Sequence, residues 1–203
     1  MTTAQETAEI WRQSSLVDED TKAEIDRLLA NENASELEDC FGQPLVFGTG
    51  GLRGLLGVGT NRMNLYTVQL TTEGWARHLE AHPEDSRSGV VIGYDSRRFS
   101  REFAEAAAEV FAGHGIPTWV FREVAPTPLV SFELLRRKAR AGLVITASHN
   151  PAEYNGYKIY GSNGGQVIPP EDGEIVNEVS RIQRLDEIQR LPYAVGKTQG
   201  LIQ

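Results

Sequence analysis

The chain has 203 residues, 40% hydrophobic and 24% charged, which suits one globular domain with room for an appendage. Its single cysteine, Cys40, excludes an internal disulfide, and no apolar run approaches the ~18–20 residues of a membrane span, so a cytoplasmic protein is expected. The net charge of −8 sits entirely in residues 1–43, and without a basic stripe anywhere the chain is not a nucleic-acid binder.

The opening MTTAQETAEIWRQ is acidic and lacks the apolar core of a secretory signal. Residues 1–43 read as an acidic, solvated helical extension. Asp18 or Asp20 is placed to cap a helix with Ile25, Leu28 and Leu29 on one face, and Asn31 and Asn33 to break it. From Pro44 the texture changes: PLVFGTGGLRGLLGVGTNRMN predicts a short apolar strand followed by a glycine-rich loop. An amphipathic helix follows over NLYTVQLTTEGWARHLEAH, with Asn64 as cap and Pro83 beyond its end.

Three strand–helix units come next. GVVIGYDSR predicts a buried strand running into a polar loop. SREFAEAAAEVFAGHG predicts a helix capped by Ser100 and ended by Gly113 and Gly115. IPTWVFREV is a strand, TPLVSFELLRRKAR a helix, and AGLVITASHN a strand ending on polar residues. YNGYKIYG and GGQVI then read as a hairpin-like pair, and EDGEIVNEVSRIQRL as the last helix. The tail PYAVGKTQGLIQ finds no partner element in the chain. The fold class this implies is α/β: a three-layer α/β/α domain over 44–191 with a mostly parallel mixed sheet, preceded by the helical extension.

In such sheets ligands gather at the carboxyl ends of strands. Three loops qualify: GTGGLRG, GYDSR and TASHNP. Their glycines expose backbone N–H groups, and Arg53 and Arg97 offer planar forks that match phosphate oxygens. The glycine loop is no dinucleotide fingerprint, because the third glycine position is Arg53. No GxxxxGK[ST], HExxH, CxxC or GxSxG occurs, so neither a P-loop nor a self-sufficient metal site is read. The informative string is ITASHNPAEYNGYKIYG. It sets Ser148 in a tight exposed loop, His149 beside it, and Lys158 on the returning strand, where an ammonium can offset charge or move a proton.

TASHNP followed by YNGYK resembles the active-serine loop of the phosphoglucomutase/phosphomannomutase family. FGTGGLRG and GYDSR match that family's preceding loops in order, and FGTGGLRG is most similar to its phosphoglucomutase/phosphopentomutase-like branch, whose members also have an acidic helical extension. The resemblance runs from about Pro44 to Leu191. It implies a mutase that moves a phosphoryl group within a sugar monophosphate through a phosphoserine and a sugar 1,6-bisphosphate. Ser148 is then the phosphoserine, ligating Mg²⁺ through its phosphate. His149, Lys158 and Arg53 join it as catalytic candidates, with Thr146, Asn150, Arg97 and Gly51 around the phosphate. The family's metal loop, sugar-selecting loop and C-terminal phosphate loop are missing, and residues 192–203 resemble the start of a linker to a second domain. The expectation is a phosphoryl-carrying domain inactive by itself, the alternative a non-catalytic sugar-phosphate-binding module.

Overall fold

A computed structural model describes residues 3–31, 34–48, 50–83 and 89–203. These form eight α-helices and a five-stranded sheet. The extension holds α1 (Ala4–Gln13), α2 (Glu19–Ala30) and α3 (Ala34–Phe41). Asp18 caps α2 by accepting from the Thr21 amide at 2.8 Å, and Asn31 ends it; Asn33 lies outside the described residues. Ile25 and Leu28 are buried and Leu29 half-buried, as their spacing requires.

The extension is less of an appendage than its acidity suggests. Trp11 meets Phe41 and Tyr66 edge-on, with ring centroids 5.6 and 5.5 Å apart. Ala8, Val17 and Ile25 join Tyr66, Val110, Leu185 and Ile188 of the main body in one apolar cluster. Acidic faces look to water while the apolar faces are closed off by the domain.

The sheet is built from β1 (Gly51–Leu55), β2 (Val90–Tyr94), β3 (Thr118–Val120), β4 (Ala141–Ile145) and β5 (Tyr154–Gly161), in the order β1-β5-β4-β2-β3. Four strands share one direction; β5 runs against both β1 and β4. On one face pack α4 (Leu65–Ala81), α5 (Ser100–Gly113) and α7 (Glu171–Arg181), around Trp75, Phe111, Tyr157 and Ile175. The other face is covered by α6 (Thr127–Arg137) through Val130 and Leu134 on Val91, Val144 and Tyr160. This is the expected α/β/α class.

Four local expectations change. Pro44–Phe47 is not a strand; the glycine-rich segment after it is, because Gly51–Leu55 pairs with Tyr154–Lys158 and so satisfies its backbone groups. Ser100 is the first residue of α5 rather than its cap. Phe99, at φ 62°, holds the cap position, and the Ser100 hydroxyl instead donates to Asp95 at 2.7 Å. GGQVI returns along β5 only as a single bridge, Tyr160 to Gln166. The tail does have a partner: α8 (Tyr193–Thr198) lies on α5, and Leu201–Gln203 pairs with the edge strand β3. The Thr118 amide donates to the Leu201 carbonyl at 2.7 Å and the Gln203 amide to the Thr118 carbonyl at 3.0 Å. Covering an exposed edge strand satisfies its unpaired amides.

A buried ion pair ties these parts together. Glu73 of α4 and His114, just past α5, are both almost fully enclosed and 2.9 Å apart. Glu73 also accepts from Arg77 at 2.8 Å and from the Gln189 amide at 2.9 Å, and His114 reaches Glu80 at 2.9 Å. Burial opposes both charges, but the hydrogen bonds and mutual attraction outweigh it. Glu73 is held below the ordinary carboxylate value and His114 above the ordinary imidazole value.

Two outcomes are expected. Ile202→Ala should cost about 2–4 kcal/mol in urea unfolding, the penalty of a cavity at a buried isoleucine; an unchanged midpoint would mean that the tail is not part of the fold. Stability should peak between the two groups' unfolded values of 4.5 and 6.5. It should fall at lower pH as Glu73 protonates through its depressed pKa, and at higher pH as His114 loses its proton through its raised one. His114→Gln should flatten the alkaline side of a melting-temperature profile.

Candidate functional site

The carboxyl ends of β1, β2 and β4 lie on one edge of the sheet, and the loop 146–153 leaves β4 there. Thr146 is buried, its amide donating to the Gly156 carbonyl at 3.0 Å. Its hydroxyl accepts from the Ser148 amide at 2.9 Å. Ser148 sits at φ 58°, a left-handed conformation that a side chain occupies at a cost of roughly 1–2 kcal/mol. Ser148 and His149 are exposed at the loop tip, and His149 makes no hydrogen bond or ion pair among the described residues.

Arg97 holds this loop. Its Nη1 donates to the carbonyls of Pro151 and Tyr154 at 2.7 and 3.1 Å. Its Nη2 donates to those of Ser148 and Asn150 at 3.0 and 2.6 Å. The remaining Nε lies 3.3 Å from an Asp95 carboxylate oxygen. Four of its N–H donors are thus spent on backbone carbonyls and Nε on an ion pair, so Arg97 holds the loop backbone. Arg53 is placed differently. It belongs to β1 itself, is exposed, and spends one contact on the Asn150 side-chain oxygen at 2.8 Å.

Register explains how Arg53 meets the serine loop. Arg53 pairs with Gly156 on β5, and Gly156 with Thr146 through the backbone bond above. A Cβ on residue 156 would lie 2.5 Å from the Thr146 carbonyl and 2.9 Å from that of Leu52, so only glycine lets the three chains close here. Lys158 pairs with Gly51 and shares a sheet face with Arg53, one diagonal step away. Partial burial, and then the Arg53 charge, hold its ammonium below the ordinary lysine value. It has no hydrogen-bond or ion-pair partner among the described residues. Thr49 of the glycine segment lies outside the described residues.

Two residues that the sequence did not single out connect these pieces. Asp95 accepts from the Arg97 amide at 2.9 Å and from Ser100. Asn155 is fully buried, donates to the Arg98 carbonyl and to Ser100, both at 3.0 Å, and accepts from the Gly156 amide at 2.8 Å. The available signal was a polar asparagine in phase with Tyr157 and Ile159 on the buried face of the strand, where burial demands partners.

Residues 44–186 match the family model described as phosphoglucomutase/phosphomannomutase, alpha/beta/alpha domain I. A phosphopentomutase of Homo sapiens is 45% identical over 177 residues, covering 83% of this chain and 28% of that protein. A phosphoglucomutase of Staphylococcus aureus is 41% identical over 136 residues, covering 67% of this chain and 24% of that protein. Among solved structures, a Thermus thermophilus protein described as a phosphomannomutase superposes with TM-score 0.64 at 32% identity, covering 73% of this chain and 32% of that one. The chain thus spans about a quarter of the length of these curated relatives.

Arg97→Lys keeps the charge but replaces a five-donor fork by one ammonium with three. Amide exchange at Ser148 and Asn150 should accelerate at least about tenfold, a local loss of ~1.4 kcal/mol, while the amides of β4 keep their protection. Unchanged exchange at the loop would remove Arg97 from its assigned place as clamp.

Proposed function

The chain belongs to the phosphoglucomutase/phosphomannomutase family, and on that premise we propose that it is the phosphoryl-carrying domain of a phosphosugar mutase. The observation that carries the reading is Ser148 itself: an exposed hydroxyl held at a strained loop tip by a committed arginine, beside cations with spare donors. In the forward half-reaction Ser148 Oγ attacks the phosphorus of a sugar bisphosphate. The Oγ–P bond forms, the ester P–O bond breaks, the serine proton leaves to a base, and the sugar departs as a monophosphate. The phosphoserine then gives its phosphoryl group to the free hydroxyl of a sugar monophosphate, which re-forms the bisphosphate, and transfer of that bisphosphate's other phosphate to Ser148 releases the isomeric monophosphate.

Lys158 and Arg53 serve this step by position. Both lie on one face of the sheet, Arg53 reaching the serine loop at Asn150, and neither is in an ion pair with a carboxylate among the described residues. Cations aimed at a transferring phosphoryl group stabilise the charge that develops on it. The depressed pKa of Lys158 also eases proton exchange, and His149 is the second candidate for that role. The names of the relatives, phosphopentomutase and phosphoglucomutase, support five- and six-carbon sugar phosphates as substrates.

Mg²⁺ chemistry, which the family resemblance implies, does not fit the residues present. Among the described residues no cluster of three metal-binding side chains adjoins Ser148, and Asp95 is occupied by Arg97 and Ser100. No step here is therefore assigned to a metal. We place the remaining cleft in the segments that the relatives have and this chain does not span. Without them, turnover of the chain should be lower by several powers of ten, each worth ~1.4 kcal/mol of barrier.

Incubation with glucose 1,6-bisphosphate and Mg²⁺ followed by peptide mass spectrometry tests the reading. One phosphate on Ser148 is expected, absent from Ser148→Ala, with Lys158→Ala slowing its appearance by about 10²–10⁴-fold. Sugar-phosphate binding by calorimetry without any phosphoserine would replace the carrier by a binding module.

A further inference from the structure

At the opposite end of the sheet from Ser148, a cavity of about 420 Å³ opens between α4, α7 and the 161–168 segment. It lies beside Ala141, where β4 begins, so roughly 16 Å of strand separates it from the serine loop. His78 and His82 stand one turn apart at the end of α4 and project from the same face. Glu174 and Glu171 approach from the first turn of α7. The two helices meet closely because residue 74 is glycine: a Cβ there would lie 2.6 Å from the Val179 amide nitrogen. That antiparallel contact brings the end of one helix against the start of the other.

The donor atoms of His78, His82 and Glu174 all fall within 4.8 Å of one another. His78 is buried, yet neither ring nitrogen makes a hydrogen bond among the described residues. Its Nδ1 is 3.8 Å from Glu174 and its Nε2 is 4.0 Å from Glu171. Such gaps are too long for hydrogen bonds. They are close to the ~3.4 Å between neighbouring ligands of a tetrahedral ion with bonds of about 2.1 Å. His82 Nδ1 is 2.9 Å from the His78 carbonyl. A carbonyl only accepts, so Nδ1 carries the proton and the Nε2 lone pair is free. His82 already has the orienting partner that metal-bound imidazoles use, a backbone carbonyl, and the Glu171 carboxylate stands 4.0 Å from His78 Nε2.

We propose that His78, His82 and Glu174 form a binding site for a first-row divalent cation of the Zn²⁺ class, with Glu171 orienting His78. Two imidazoles and one carboxylate favour Zn²⁺ over Mg²⁺, which takes oxygen ligands. Exposed Glu174 and His82 supply the rotamer freedom that closes the remaining gap. Arg140 lines the same cavity, where its Nη1 donates to the Leu79 carbonyl at 2.8 Å, and the two glutamates outweigh its charge. Distant from Ser148, the ion acts as a pin between α4 and α7, with a fourth position open to the cavity. Motif reading passes over the pair because His-x3-His carries its third ligand on another helix.

Calorimetric titration of the untagged chain with ZnCl₂ tests the site. One ion per chain is expected, with Glu174→Gln and His82→Ala each weakening binding about tenfold or more while metal-free melting stays unchanged. Ser148→Ala should leave the Zn²⁺ isotherm as it is. Co²⁺ should give the visible absorption of a four-coordinate centre, lost in both site variants. Absence of saturable one-to-one binding, or full binding by both variants, overturns the proposal.

Discussion

A loop that exposes one side chain at a sheet edge must keep its own backbone satisfied. Here the constraint is met by a single guanidinium. Four carbonyls of the serine loop, those of Ser148, Asn150, Pro151 and Tyr154, converge on Arg97, and Asp95 completes its shell. Arg is suited to this because its donors are fixed in one plane and remain charged at every working pH. The consequence reaches beyond the loop. Asp95 also takes the Ser100 hydroxyl, Ser100 takes an Asn155 proton, and Asn155 sits beside Gly156, whose neighbours are Arg53 and Thr146. One hydrogen-bonded chain thus links the ends of β2, α5, β4 and β5, with β1 paired alongside.

The antiparallel placement of β5 makes this possible. A strand running with the others would have to return behind the sheet before pairing. Instead the serine loop turns back directly, so that TASHNP and YNGYK face each other across a short connection. Glycines at positions 51 and 156 then let β1 close against β5 at the level of the loop, where a Cβ at residue 51 would fall 1.9 Å from the Tyr157 carbonyl. The spacing of serine and lysine in the sequence is the length of that reversal.

Much of this was legible from residues. Helix α4 with its Asn64 cap, the apolar strands β2 and β4, and the serine loop all announce themselves through local chemistry: a capping side chain, an unbroken buried run, a polar strand end. The failures share a cause. Glycine-rich Gly51–Leu55 looks like a loop because glycine has weak strand preference, and its strand state is imposed by the distant β5, where Arg53 finds Gly156 as its partner. Residues 192–203 look unpartnered because their partner is the exposed edge of β3, a property of the assembled sheet. For Arg97 the sequence cannot say which acceptors reach it first, and in the fold four backbone carbonyls do. Local signals identify groups, while tertiary competition decides how those groups are spent.

That competition narrows the chemistry left at the loop. Arg97 spends four donors on backbone carbonyls and its Nε on an ion pair, Thr146 is engaged by the Ser148 amide, and Asp95 is taken by Arg97 and Ser100. What remains uncommitted among the described residues is the Ser148 hydroxyl, His149, Lys158 and most of the Arg53 fork. These are one hydroxyl, one imidazole and two basic side chains, none of them in an ion pair among the described residues. Cations around an exposed hydroxyl on a strained backbone favour a multiply charged anion, and a phosphate ester joins that charge to a phosphorus that a serine oxygen can attack.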